Sequence, residues 1–179
     1  MHHQKLTGQQ VIPAGRIVLR PLRPEDQGAL TLHAGDERVA RMTSTIPHPL
    51  PPGTAAAFIE RALGEHRREH VWAIAGGPDA PPGLLGVISL KPLDAGQSEI
   101  GYWVVPAFWN THIASTAVAA LTDANPLGDR TIFASVFQDN PVSARVLSRN
   151  GFQYLGEAET YSVARAATVP TWTYLKTLG

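Results

Sequence analysis

The chain has 179 residues, which favours one domain over residues 1–179, since two would each be small for a core of their own. With 44% hydrophobic and 17% charged residues it is too apolar and too weakly charged for disorder, and it lacks the repeats of collagen or a coiled coil. Fifteen Lys and Arg balance fifteen Asp and Glu with no charged tail in either half, so no nucleic acid and no membrane is expected as a partner. The absence of cysteine removes disulfides, thiol nucleophiles, zinc ribbons and iron–sulfur ligation together, leaving oxygen and nitrogen groups for any chemistry. The polar start MHHQKLTGQQ has no signal-peptide core and no apolar run reaches the roughly 18 residues of a membrane span, so the expected location is cytoplasmic.

In chain order, Arg16 to Leu22 alternates apolar and basic residues at strand period, and Pro24 then opens a helix carrying Leu30 and Leu32. Thr45 to Gly53 holds four prolines and reads as a loop. Thr54 to Glu65 spaces Ala57, Phe58, Arg61 and Ala62 as a helix ending near His66. Val71 to Ala75, Leu84 to Leu90 and Ser98 to Val105 are strand-like, joined by turns at Gly76–Pro78 and Asp94–Gly96, so antiparallel hairpins are expected. Ile100 to Val105 is apolar on both faces, as in a central strand, and Pro106 ends its ladder. From Ile113 to Ala124 a helix carries Ala114, Ala117, Val118 and Leu121 on one face, followed by a strand at Arg130–Phe137. A short helix starts at Asn140–Pro141 and stops at Gly151, and strands in Phe152–Val163 and Thr168–Lys176 close the chain. The class expected is α+β, a mixed, mostly antiparallel central sheet flanked by helices.

Two places invite chemistry. After Pro106 a helix is expected to begin near Thr111, and its unpaired amides and positive dipole end suit a phosphate, although any strand-to-helix connection has them. Asn140 with Pro141 makes a good helix start that capping alone explains, whereas Ser143 adds little to a helix and its hydroxyl is free to face a ligand. His66 and His70, four apart, form a weak metal signal without a nearby carboxylate, and they read better as a helix end; no metal is expected.

The stretch Glu99–Phe152, EIGYWVVPAFWNTHIASTAVAAL followed by NPVSARVLSRNGF, resembles the acetyl-CoA-binding half of the GNAT acetyltransferase superfamily. It is similar in particular to the branch with ribosomal-protein N-terminal acetyltransferases, whose first strand and helix RIVLRPLRPEDQGAL also resembles. The resemblance implies that Trp103, Val104 and Val105 offer backbone groups to the pantetheine arm of acetyl-CoA. It implies that Asn110, Thr111, His112, Ile113, Ala114 and Ser115 hold the pyrophosphate on main-chain amides, and that Asn140 and Ser143 approach the thiol end. Two positions depart from the pattern. Asn110 and His112 stand where the branch usually carries glycines, and Leu147 stands where many members carry a tyrosine used as general acid.

The resemblance further implies transfer of acetyl to an amine. At pH 7 deprotonation costs roughly 1 kcal/mol for an α-amine and nearly 5 for a lysine, so a weak base suffices for an N-terminus. Glu99 is the candidate base, working through water, or else an edge-facing or salt-bridged strand carboxylate; Tyr102, Tyr154 and Tyr161 are alternative polar groups that read equally as strand aromatics. With Leu147 lacking a hydroxyl, Ser143 or water is left to serve the thiolate. The partners expected are acetyl-CoA and an amine acceptor, which could be a peptide N-terminus or a small molecule, with the acceptor groove built from the first helices, the Pro-rich loop and the last strand pair. A monomer or a homodimer is expected. The competing class is a binding module that keeps the fold without the cofactor chemistry.

Overall fold

The computed structural model describes residues 9–78 and 83–179; the start MHHQKLTG lies outside them. Eight strands form one sheet: β1 (Ile12–Ala14), β2 (Ile17–Pro21), β3 (His70–Gly76), β4 (Leu84–Pro92), β5 (Gln97–Val104), β6 (Thr131–Phe137), β7 (Gln153–Ser162) and β8 (Ala167–Thr177). Five α-helices accompany them: α1 (Gln27–Ala34), α2 (Glu37–Ala40), α3 (Thr54–Leu63), α4 (Ile113–Ala124) and α5 (Pro141–Arg149). The order across the sheet is β1-β2-β3-β4-β5-β6-β8-β7, and every pairing is antiparallel except β5 with β6. That single parallel pair follows from α4, which carries the chain back across the sheet.

Alternation along the strands feeds two cores. On one face Trp72, Ile74, Ile88, Ile100 and Ile132 pack under Val118, Leu121 and Leu147 of α4 and α5. On the other, Val71, Ala73 and Val87 pack under Leu30 of α1 and Ile59 of α3. β5 is central in the sheet, but only one of its faces is covered: Ile100 and Val104 are buried under α4 and α5, whereas Glu99 and Gly101 on the other face are exposed and Trp103 is half-buried, which corrects the expectation of a strand covered on both sides.

The expected elements form, with shifts that have local causes. The first helix begins later than Pro24, because Pro24–Asp26 is a 3-10 turn in which the Asp26 carboxylate accepts from the Arg23 amide at 2.8 Å. Of its two leucines Leu30 is buried and Leu32 is 70% exposed. The helix from Thr54 ends at Leu63 rather than Glu65, since Gly64 leaves helical backbone at ψ 149°. His66 thus lies beyond the helix and His70 opens β3, where Arg67 Nε donates to its Nδ1 at 3.4 Å, so the pair shares no helix face. β1 and α2 have too few residues to show a period and were not expected.

α5 ends in a Schellman motif. Gly151 takes φ +82°, the Phe152 amide donates to Leu147 O at 3.1 Å, the Gly151 amide donates to Ser148 O at 3.3 Å, and Leu147 and Phe152 are both buried. At the other end the Asn140 side chain accepts from the Ser143 amide at 3.4 Å with Pro141 in the first turn, as expected.

Candidate active site

β5 and β6 pair only over Gln97–Ile100 and Thr131–Ala134, although both strands run on to Val104 and Phe137. Beyond Ile100 and Ala134 they part. The split opens into a cleft of about 1880 Å³ that reaches both faces of the sheet, more than a single small ligand fills.

Backbone parity decides which groups of β5 face the split. The Val105 amide donates to Leu85 O of the neighbouring chain segment at 2.8 Å, so Val105 and Trp103 turn their backbone groups toward β4, and Tyr102 and Val104 turn theirs toward the gap that β6 leaves. Trp103 and Val104 line the cleft, while Val105 does not. The Val104 carbonyl accepts from the Trp109 indole at 2.7 Å, and the Arg38 guanidinium stands over that ring at 5.8 Å, so α2 and the turn brace each other.

The turn itself explains the two substitutions. Asn110 has φ +63° and His112 has φ +64°, both left-handed, on either side of Thr111. These are the positions where glycine was expected, so the glycine-type backbone is present without glycine, formed by residue types that tolerate the left-handed region better than most. α4 spans Ile113–Ala124 as its amphipathic pattern indicates, with His112 as its N-cap; the turn ahead of it reaches past Thr111, because the left-handed His112 cannot sit inside a helix. Successive amides around such residues form a concavity suited to an anion. Arg16, from the β1–β2 connection, donates to the Thr111 carbonyl and holds the turn from behind. Asn110 through Ser115 all line the cleft. Asn150 donates to the Ser115 hydroxyl at 3.1 Å, tying α4 to the end of α5.

At the other end of the split stand Asn140 and Ser143, with Tyr102 beside them. The Tyr102 hydroxyl lies 2.7 Å from Ser143 Oγ and 3.2 Å from the Ser143 carbonyl oxygen. Burial pushes this phenol up to about 12, the Ser143 hydrogen bond pulling weakly the other way. Leu147 is fully buried in the core and does not reach the cleft. Of the three candidate tyrosines only Tyr102 lines the cleft; Tyr154 stacks edge-on against Tyr174 at 5.7 Å, and Tyr161 is exposed.

Glu99 also lines the cleft, on the opposite face of β5 from Tyr102, with Lys91 and Phe133 as its cross-strand neighbours. None of the three ion pairs among the described residues involves it, so the salt-bridged alternative fails. Around it the sheet presents hydroxyls: Ser89, Ser135, Thr160, Thr171 and Thr173 line the same cleft, and the buried Thr171 Oγ1 has no hydrogen-bond partner. The roof here was not legible in the sequence. Arg165, at the β7–β8 turn, makes two contacts to the Asp139 carboxylate at 2.7 and 3.1 Å, donates to the Arg41 carbonyl at 2.7 and 2.9 Å, and lies over Phe137 at 4.9 Å. The residues are 26 and 124 positions apart, and no local pattern marks them.

Comparison with known proteins decides the family. The Acetyltransferase (GNAT) domain matches residues 16–153. The chain belongs to the GNAT acetyltransferase family. With that, the expected α+β fold and the expected acetyl-CoA-dependent N-acetyltransferase both stand, and the module without chemistry loses its ground. This GNAT chain is 26% identical over 170 residues to the uncharacterized N-acetyltransferase YoaA of Bacillus subtilis (strain 168), covering 92% of this chain and 94% of that one. Among solved structures it is similar to the Salmonella typhimurium acetyltransferase that modifies the N-terminal serine of ribosomal protein L7/L12, with 18% identity, a TM-score of 0.78, and coverage of 95% and 100% of the two chains. It is also similar to the spermidine N-acetyltransferase of Vibrio cholerae in complex with CoA and spermine, with 14% identity, a TM-score of 0.75, and coverage of 90% and 95%. Among the described residues no helix is long and apolar enough to cross a membrane, and no group of three or more metal-ligating side chains occurs.

Proposed function

We propose that this GNAT enzyme moves the acetyl group of acetyl-CoA to the α-amine of a peptide or protein N-terminus. The observation that carries the reading is the parting of β5 and β6 after Ile100 and Ala134, which joins an anion-binding turn, a hydroxyl pair and an unpaired carboxylate in one cleft.

In this reading the amides of residues 110–115 hold the pyrophosphate, and the backbone of β5 around Val104 holds the pantetheine arm. Trp103 forms the wall beside that arm, and Val105 acts only by anchoring the strand to Leu85. Asn140 fixes the first turn of α5, so that Ser143 faces the departing sulfur. Glu99 takes the amine proton through water while the amine nitrogen attacks the thioester carbon. The C–S bond then breaks and its electron pair goes to sulfur.

The acceptor follows from what lines the cleft. Six Lys and Arg line it against four Asp and Glu, and of the four, Asp139 is already paired with Arg165. A polyamine, with a positive charge on every nitrogen, would be repelled there on balance. A peptide N-terminus brings one amine and a backbone that needs neutral hydrogen-bonding partners, which the Ser and Thr hydroxyls and the orphaned Thr171 Oγ1 provide.

The test has two stages. Acetyl-CoA at about 100 times its Kd should stabilise the chain by about 2.7 kcal/mol in a thermal shift. Release of free thiol is then followed with short peptides bearing a free N-terminus, the same peptides blocked at the N-terminus with a lysine inside, and spermidine. Turnover is expected with the first set alone. Preferential turnover of spermidine would overturn the acceptor assignment, and no shift with acetyl-CoA would overturn the whole reading.

A further inference from the structure

Tyr102 has one proton and two acceptors. The phenol can donate to the Ser143 carbonyl at 3.2 Å, in which case the Ser143 hydroxyl donates back to it across 2.7 Å and is consumed. Or the phenol donates to Ser143 Oγ, and the serine proton is left to turn elsewhere. Both groups line the split, and Tyr102 sits two residues beyond the last paired residue, Ile100, on the same face of the strand. The ring of Tyr102 packs with the core under α5, so its position is set by the same contacts that seat the helix.

We propose that Tyr102 is a positioning residue for the leaving group: its phenol holds Ser143 Oγ so that the serine proton points at the sulfur of coenzyme A as the C–S bond breaks. The proposal rests on the acetyl-transfer reading above. Without a donor at Leu147, negative charge on sulfur needs another hydrogen bond, and two hydroxyls in series strengthen each other as that charge develops. The electron pair of the broken bond stays on sulfur, coenzyme A leaves as thiolate hydrogen-bonded by Ser143, and water protonates it after release. The phenol remains protonated throughout, as a buried phenol held up to about 12 must beside a thiolate of a much stronger acid. Tyr102 thus acts through Ser143, and through nothing else.

The experiment needs no acceptor. Coenzyme A carrying a 13C label on the carbon next to sulfur is bound to the protein, and its thiol is titrated by the chemical shift of that carbon, a signal that belongs to coenzyme A alone. The charged and titratable groups lining the same cleft are Glu99 on β5, Lys91 on β4, His112 ahead of α4, Asp139 ahead of α5, Arg145 and Arg149 on α5, and, from the far side, Arg61 on α3 with the charged run at residues 65–69. All remain in every variant, so a difference reports the hydroxyl pair. Tyr102→Phe is expected to raise the pKa of the bound thiol by about one unit, Ser143→Ala to raise it as much or more, and the double variant to match Ser143→Ala. Ser143→Thr, which leaves Tyr102 untouched and keeps a hydroxyl to be held, should titrate like the wild type. An unchanged thiol pKa in Tyr102→Phe, additive shifts in the double variant, or a Ser143→Thr value as high as that of alanine would each overturn the proposal. Failure of the wild-type chain to bind coenzyme A would overturn the acetyl-transfer reading and this inference with it, and is seen before any titration begins.

Discussion

Glu99 faces the cleft with no ion pair of its own, beside a strand neighbour, Lys91, whose charge it does not engage. Being exposed, this carboxylate is hydrated at rest and open to whatever enters the cleft. If what enters is a protonated amine, Glu99→Gln should lower kcat/KM by about a hundredfold at pH 6 and by less than about tenfold at pH 9, where solution supplies the neutral amine. An equal loss at both pH values, in steady-state rates of thiol release, would show that Glu99 orients rather than deprotonates. The residue was legible in the sequence as a polar group within an apolar central strand. Tyr102 was legible only as one of three equivalent tyrosines, because nothing local says which of them lies across from the start of a helix 41 residues away.

At the scale of elements, the strand–turn–helix from β5 to α4 shows how a backbone can be kept while its usual residues are lost. Asn110 and His112 hold left-handed φ values near +63° and +64° at a cost of about 1 kcal/mol each, less for asparagine than for histidine. The cost is borne because the Trp109 indole, the Arg16 guanidinium and the buried Ile113 fix the chain on both sides. His112→Gly is therefore expected to raise stability by about 1 kcal/mol, near 2 to 4 °C in Tm for a chain of this size, and Asn110→Gly by about half as much. Because the amides already have their arrangement, acetyl-CoA affinity measured by calorimetry should change less than about threefold. A gain above tenfold in His112→Gly would mean that the imidazole obstructs the phosphates, as the missing glycines suggest when read from sequence alone.

Over the whole molecule, the acceptor side of the cleft is closed by contacts between distant parts of the chain. Arg165 joins the β7–β8 turn to Asp139, one residue ahead of Asn140, and to the Arg41 carbonyl, while the Val163 amide donates to Ser44 O at 3.1 Å. The Arg165 hydrogen bonds hold the Asp139 carboxyl below the usual carboxylate range, burial opposing them. Its folded value being depressed, this link contributes above about pH 3.8 and is lost as pH falls through the lowered value. At neutral pH it is complete. Arg165→Ala is expected to raise hydrogen exchange at Val163 and in residues 41–44 at pH 7 by about tenfold or more, with Tm moved by only a few degrees, since a half-exposed ion pair contributes little to global stability. Unchanged exchange at Val163 would mean that backbone pairing alone holds the turn. Asp26 behaves with the same sign for a different reason: burial raises its carboxyl, but the two Arg20 hydrogen bonds at 2.8 and 2.9 Å and the Arg23 amide outweigh that and lower it, so its contribution too fades only in acid.

What the sequence by itself determined is whatever depends on neighbours in the chain. The strands show in alternation of side chains, the end of α5 in Gly151, its start in Asn140 and Pro141, and the end of the β5 ladder in Pro106, because each is a matter of a few consecutive dihedral angles and their hydrogen bonds. The two motif stretches from Glu99 to Phe152 belong to the same class of information: of the residues they single out, Trp103, Val104, residues 110–115, Asn140 and Ser143 line the cleft, while Val105 does not. Tertiary structure alone decided where β5 leaves β6, that the Tyr102 hydroxyl meets Ser143, that Leu147 faces the core, and that Arg165 bridges to Asp139 and Arg41. Those contacts join residues 26 to 124 positions apart, and their energies come from burial and pairing after the sheet has closed, which no local pattern of residues encodes.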